Sequence, residues 1–390
     1  MHVKKPRYVI LTNIIAPYKT LLFNALQEKN TDFRVLYFAE TEGNREWRVA
    51  KGELQFAFDV MFKGKIDYIG PIELAIETYK KLNLYDPEVI IIGGYDRLAC
   101  WAALVWAKKR NRKVILMIES HYLDRPRFAI KESSKRLLVS RCDAILAAGT
   151  RHRDYAIRLG AKSENIFIMR GVGGVDLSLY QTAVLEGRGN KLKLCNELGI
   201  PCKKYFLYVG RFSPEKNLLF LLKAYKKLKS KEGASNWGLL LVGDGPQRKE
   251  IESFIKNNGI RDTFLPGFIQ KEELPRFYAI SDVFVLPSIS DAWGLVVEEA
   301  MVSGLPVLVS NRCGCYPDVV RDGINGFSFD PFNEDELFRY MKDIALGELE
   351  LKEMGRASLE IIKDYTPEKS ADVFWQAVES IVGVERKEKE

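Results

Sequence analysis

Residues 288–310 read SISDAWGLVVEEAMVSGLPVLVS. They follow Val283–Leu286, a short apolar run closed by Pro287, which has the length and composition of a buried parallel strand. After the strand come Asp291, a Trp293–Gly294 turn, and then Leu295, Val296, Ala300 and Met301 at helical spacing, which mark an expected packed face. Ser303–Gly304 ends that helix, and Pro306–Val309 opens the next strand. Open α/β sheets bind ligands at the carboxyl ends of their strands. Asp291 in the loop and Glu299, about two turns further on, are therefore expected to face one crevice. Of the adjacent Glu298 and Glu299, one is expected on a solvated helix face.

A chain of 390 residues favours two domains, and 47% hydrophobic residues is ample for two cores. The longest apolar run, Leu98–Ala107, is far short of a spanning helix. The amino-terminal run YVIL is too short for a signal peptide. Six cysteines are scattered, and only Cys313 and Cys315 are close, so no zinc site is expected and reduced thiols in the cytoplasm are the default. The net charge of +7 is concentrated, because residues 105–160 hold fourteen Lys/Arg against five Asp/Glu. That window suggests an anionic partner, such as a membrane surface, set against the alternative of an ordinary solvated surface.

Strands and helices alternate along the whole chain, as in doubly wound α/β domains. In the first half, strands are expected at 7–12, 33–38, 89–92, 114–118, 144–147 and 166–169, with helices between them. The loop 13–19 follows the first strand, and Glu119-Ser120-His121 follows the fourth. Residues 40–63, which include REWR at 45–48, lack a clean period and read as a long substrate loop or an irregular hairpin. GVGG at 171–174 and the polar stretch 181–193 read as a linker. A second α/β series begins at Tyr205 and ends with a helix at 367–382.

The chemistry concentrates in the second series. Gly210-Arg211-Phe212-Ser213-Pro214-Glu215-Lys216-Asn217 follows its first strand. Arg211 offers a planar fork and Lys216 a point charge, a pairing suited to two adjacent phosphates; the competing reading is a surface pair of Arg211 with Glu215. Gly243-Asp244-Gly245-Pro246 closes the next strand, Pro266-Gly267-Phe268-Ile269 the one after, and Cys313–Asp318 and Asn325-Gly326 lie beyond the quoted stretch.

Taken in order, Gly210–Asn217, Gly243–Pro246, Pro266–Ile269, Asp291–Glu299 and Asn325–Phe327 resemble the signature of glycosyltransferase family 4, retaining enzymes of the GT-B fold. The resemblance covers residues 205–330 motif by motif and the first half only in architecture. It departs from the usual pattern at Asp291, where Glu is common, and at Cys315, where glycine is common. It implies two Rossmann-like domains facing a central cleft: 1–180 on the acceptor side, a linker at 181–203, and 204–366 on the donor side, with a helix at 367–384 packing back on the first. It further implies a nucleoside-diphosphate-sugar donor, with Glu299 on the ribose and Phe268 and Ile269 near the base. Gly210, Arg211, Lys216, Gly243, Asp244, Trp293, Gly294 and Leu295 complete the donor site, and Arg211 and Lys216 hold the diphosphate without a metal or other cofactor. Asp291 and His121 then meet the transferred sugar, while Asn13, Tyr18, Lys19 and Glu119 form the acceptor side. The acceptor is expected to be a glycan or a lipid-linked glycan at the inner membrane face, reached through residues 105–160. A nucleotide-sugar epimerase or phosphorylase shares the fold and stays as the alternative. A nucleic-acid-binding module lacks a recognisable motif.

Overall fold

Two four-residue apolar runs, Val89–Ile92 and Val283–Leu286, each lie inside a parallel sheet with neighbours on both sides. Both faces of each run are therefore covered, and neither shows the alternation of a half-exposed strand. The computed structural model describes residues 7–29, 31–43 and 51–382. These divide into two compact units: residues up to 122 with 126–174 and those from 366 on, and residues 123–125 with 175–365.

In the first unit the order is β1 (Tyr8–Thr12), α1 (Pro17–Glu28), β2 (Phe33–Thr41), β3 (Phe58–Lys65), α2 (Pro71–Tyr85) and β4 (Val89–Ile92). Then come α3 (Leu98–Lys109), β5 (Lys113–Ile118), α4 (Ala129–Val139), β6 (Ala144–Ala147), α5 (Thr150–Arg158) and β7 (Ile166–Ile168). The sheet is parallel in the order β3-β2-β1-β4-β5-β6-β7, so chain progression reverses between β1 and β4. Alternate residues of the central strands feed opposite faces. Val9, Leu11, Ile90 and Ile92 join α2, α3 and α5 in one core. Tyr8, Ile10, Val89 and Ile91 join α1 in the other.

The second unit runs α6 (Leu177–Gly189), α7 (Lys191–Glu197), β8 (Lys204–Val209), α8 (Leu218–Lys229), β9 (Trp237–Val242), α9 (Arg248–Asn257) and β10 (Thr263–Gly267). It continues through α10 (Leu274–Ile280), β11 (Val283–Leu286), α11 (Leu295–Val302), β12 (Val307–Ser310), β13 (Gly326–Phe329), α12 (Glu334–Ala345) and α13 (Leu351–Ile362). Its parallel order is β10-β9-β8-β11-β12-β13, with the reversal between β8 and β11. The last helix, α14 (Pro367–Val382), places Ala371, Phe374, Ala377 and Val378 in the α1-side core of the first unit. Among the described residues no helix is long and apolar enough to cross a membrane.

Three expectations are corrected here. The stretch 40–63 is neither a long loop nor a hairpin in its described part: β3 pairs parallel with β2 from Val35↔Phe58 onward. Its period is blurred because β3 is an edge strand with half-buried side chains. REWR at 45–48 lies outside the described residues. The supposed linker is helical and groups with the second unit, since Asp176 caps α6 by accepting Leu179 N–H at 3.0 Å. Gly187, within that stretch, is a close-approach site: a Cβ there would stand 2.7 Å from Ala279 Cβ on α10. Finally, Tyr18 and Lys19 are in the first turn of α1 and not in the loop, because Pro17 sets the helical φ one residue earlier.

Candidate active site

The site in the second unit is built from loops that leave neighbouring strands at their carboxyl ends. Gly210–Asn217 follows β8 and contains a single 3-10 turn, Pro214–Lys216. Ser288–Gly294 follows β11, which pairs with β8, so these two loops stand on either side of the reversal in strand order. The loop after β9 is laced to the first of them. Gly210 N–H donates to Val242 O at 3.0 Å, Phe212 N–H to Asp244 O at 2.8 Å, and Gln247 N–H to Phe212 O at 3.0 Å. The approach is so close that a Cβ on Gly243 would lie 1.9 Å from Gly210 O. Glycine is required there by contact with backbone as well as by its φ of +138°.

Across the reversal, Ile289 N–H donates to Glu215 O at 2.8 Å, and Lys216 Nζ reaches Asp291 Oδ2 at 2.6 Å. Burial pulls the Lys216 ammonium toward the neutral form, but the Asp291 charge and hydrogen bond outweigh it and hold the pKa above the ordinary lysine value. Arg211 is exposed and has no ion pair among the described residues. The alternative pairing with Glu215 is not formed, since Glu215 takes the Ser213 hydroxyl at 2.5 Å. Asp244 is turned to local use: its carboxylate accepts Gly245 N–H at 2.7 Å and pairs with Arg248 at 3.2 Å. Phe268 is exposed and Ile269 half-buried just beyond β10. The Cys313–Cys315 loop is held by Gly314 N–H on Asp291 O at 3.0 Å and Cys315 N–H on Trp293 O at 2.9 Å. Both thiols are buried, consistent with a crowded turn.

In α11 the inward face is Val297, Glu298, Ala300 and Met301, whereas Leu295 and Val296 are only half-buried. The expected face is thus rotated, because the helix starts at Leu295 itself and turns its first two residues partly outward. Neither acid lies on a solvated face. Glu298 is fully buried, with Oε1 accepting Trp293 Nε1–H at 2.5 Å and Oε2 without a hydrogen-bond partner. Glu299 is partly accessible and accepts the Tyr278 hydroxyl on Oε2 at 2.8 Å. Burial, opposed by the Trp293 bond, pushes Glu298 up to about 8; burial, opposed by Tyr278 and Tyr180, pushes Glu299 up to about 7. Sequence reading missed Tyr180, Tyr278 and Glu298. Only for Glu298 was a signal present, in the i, i+3, i+4 relation of Val297, Ala300 and Met301 that carries its neighbour inward.

The first unit brings its own residues together. Asn13 follows β1, and its carbonyl accepts Ala39 N–H at 3.0 Å. Lys19 is buried, with Nζ 3.0 Å from Glu119 Oε1 and 3.3 Å from Thr12 Oγ1, so it ties α1 to the carboxyl ends of β1 and β5. Burial works against its charge, yet Glu119 keeps its pKa above the ordinary value. His121 is buried, its ring 5.5 Å from that of His152 in an edge-on arrangement, and its carbonyl accepts from Arg127. The basic window is less uniform than its charge count. Arg127 and Lys135, expected at a membrane contact, turn inward onto Tyr155 at 2.8 and 3.0 Å and onto Glu132 at 3.6 and 3.0 Å. Lys131 does not share that face and is exposed.

These loops, gathered at a sheet reversal, belong to an α/β unit of the GT-B type. Residues 193–360 match the family model described as glycosyl transferases group 1, in line with the resemblance to glycosyltransferase family 4. It is 29% identical over 308 residues to the sulfoquinovosyl transferase SQD2 of Arabidopsis thaliana, covering 76% of this chain and 57% of that one. It is 33% identical over 142 residues to the lipopolysaccharide 1,2-N-acetylglucosaminetransferase of Salmonella typhimurium, covering 34% and 36%. The matched region spans between 34% and 62% of the length of the first curated relatives. Among solved structures, a glycosyltransferase from Rickettsia africae superposes with a TM-score of 0.76 at 15% identity, covering 97% of this chain and 100% of that one. The Anabaena protein HepE in complex with UDP does so with 0.74 at 17%, with the same coverage. These likenesses establish the fold.

The Glu298 environment has a consequence for stability. A carboxyl raised from 4.5 to about 8 by folding holds its proton while the unfolded chain releases it. Its contribution is complete below 4.5 and is lost as pH rises toward about 8. Glu298→Gln, which keeps the shape and cannot ionise, is expected to flatten the decline of Tm across that interval. An unchanged slope in thermal melts from acid to mildly alkaline pH would show that Glu298 is not a buried neutral acid.

Proposed function

We propose that this protein is a retaining glycosyltransferase, which moves a sugar from a nucleoside-diphosphate sugar to a glycan or lipid-linked acceptor. The observation that carries the reading is the Lys216–Asp291 contact of 2.6 Å at the reversal between β8 and β11, with exposed Arg211 five residues before Lys216. Two cations and the amides at the start of α11 can take the charge that builds on a departing nucleoside diphosphate. That charge supply comes from the chain itself, so the transfer needs no metal. Asp291 is placed to meet sugar hydroxyls beside the reacting carbon, and Glu299 to accept the ribose hydroxyls. HepE is a UDP-bound structural relative, which makes UDP the first nucleotide to try.

The acceptor side extends to an anionic membrane surface, carried by α4. Its inner ridge is Glu132, Lys135, Leu138 and Val139. Its outer ridge runs Ile130, Ser133, Ser134 and Leu137, with Ile130 87% exposed and Phe128, just before the helix, 60% exposed. Exposed Lys131 and Arg136 flank that ridge. Exposed Phe128, Ile130 and Leu137 among serines, with basic flanks, suit the headgroup boundary of an anionic bilayer better than bulk water. The contact set is therefore Phe128, Ile130, Leu137, Lys131 and Arg136, without Arg127 and Lys135.

Three outcomes test this reading. A millimolar nucleoside diphosphate is expected to raise Tm, to the same extent with and without EDTA; no shift with UDP, GDP, ADP or CDP would remove the donor site. Arg211→Ala is expected to lower kcat/KM by about 2–4 kcal/mol in transition-state stabilisation, and wild-type turnover would return Arg211 to an ordinary surface role. In co-sedimentation, binding should require anionic liposomes, weaken in half-molar salt, and drop both in Lys131→Gln/Arg136→Gln and in Ile130→Ser. Equal pelleting with neutral vesicles, or none with either, would leave α4 as a solvated helix.

A further inference from the structure

Glu299 accepts an aromatic hydroxyl from one helix, and a second aromatic ring from another helix packs beside that donor. Tyr278 of α10 donates to Oε2 at 2.8 Å. Its ring packs edge-on against Tyr180 of α6, with centroids 5.6 Å apart and planes at 70°. Both tyrosines are fully buried. The Tyr180 hydroxyl closes no hydrogen bond among the described residues, and its influence on Glu299 favours the charged carboxylate. An unpaired buried hydroxyl is costly and rare in a finished structure, so its aim at a partly accessible carboxylate is informative. Tyr180 lies on α6 just ahead of the stretch 181–193 that reads as a linker, and Gly187 of that stretch seats α6 closely against Ala279 of α10.

We propose that Tyr278 and Tyr180 are positioning residues that hold the Glu299 carboxylate in one orientation, as a bidentate acceptor for the vicinal hydroxyls of the donor ribose. This inference rests on the donor reading above. A carboxylate has about four lone-pair sites, and Tyr278 occupies one on Oε2, so Oε1 and the remaining Oε2 site stay free for two hydroxyl donors. Hydroxyl bonds to an ionised oxygen are short and strong, so the diol is read best when Glu299 is charged. The groups that face Glu299 set when this holds. Burial opposes the charge, while Tyr278 from α10, Tyr180 from α6 and Lys271 ahead of α10 favour it. Glu298, one residue earlier, is turned to Trp293 and stays protonated to about 8, so near neutral pH it adds little repulsion. With Glu299 at about 7, ribose recognition weakens as pH falls through neutrality, and removing either tyrosine hydroxyl moves that limb to higher pH.

The test is calorimetric binding of UDP, GDP, ADP and CDP to the full chain, each against its 2′-deoxy form, from about pH 6 to about pH 9. The wild type should prefer the ribonucleotide by about tenfold at the alkaline end, a preference that shrinks toward acid. Tyr278→Phe, which keeps the packed ring, should lose most of that preference, and its residual pH midpoint should rise. Tyr180→Phe should raise the midpoint with a smaller loss. Wild-type preference at every pH in both variants would overturn the proposal while leaving the donor site intact. Equal binding of ribo- and deoxynucleotide by the wild type would remove Glu299 from ribose recognition altogether. Failure of all four nucleotides to bind would end this proposal and the donor reading together. Should Tyr278→Phe not fold, the shift in Tyr180→Phe decides the matter.

Discussion

A lysine and an aspartate from two different strand ends meet at 2.6 Å, and much of the second unit is arranged so that they can. Parallel pairing of β8 with β11 fixes the distance between the loops that carry them. Backbone bonds from Ile289 to Glu215 and from Phe212 to Asp244 then lace three loops into one surface. The pair is largely shielded, with side-chain exposures of 20% and 14%. A shielded pair is held by its hydrogen bonds and resists loss of either partner. Lys216 keeps its charge there and Arg211 stays open to solvent, so the surface offers cations where an anion can arrive.

The three acids of the region have distinct environments although they lie within nine residues. Asp291 faces an ammonium, Glu298 an indole N–H, and Glu299 a phenol. An ammonium favours the carboxylate strongly, an indole or phenol donor only modestly, and burial opposes it in every case. The result, next to an aspartate paired with a lysine, is a neutral acid at the core and a group poised near neutrality beside it. The same logic appears in the first unit, where Glu119 permits Lys19 to be charged while buried.

The basic window shows why a charge count is a weak guide to a surface. Arg127 and Lys135 each lie over the face of Tyr155 and pair with Glu132, so two cations of the window serve the inside of the fold. What remains outward on α4 is Ile130 and Leu137 with two serines at its ridge and basic residues at its edges. That pattern is visible only once the helix has an inner side, since Lys131 and Lys135 look equivalent at a spacing of four residues.

Sequence by itself determined the class and most elements, because those depend on local composition and period. Val283–Leu286, Val89–Ile92 and the Gly210–Asn217 and Asp291–Glu299 motifs were legible since a buried parallel strand and a tight turn each restrict residue type at a short spacing. Period alone left β3 obscure, for an edge strand packs too little to enforce alternation, and it misread α6, whose polar surface and Gly187 and Gly189 resembled a linker. Tertiary structure decided which side chains meet. That Lys216 finds Asp291, that Trp293 meets buried Glu298, and that Tyr278 reaches Glu299 follow from contacts across 75, 5 and 21 residues of chain. The long-range contacts depend on strand order, which local sequence does not encode, and the short one depends on which way α11 turns its first residues.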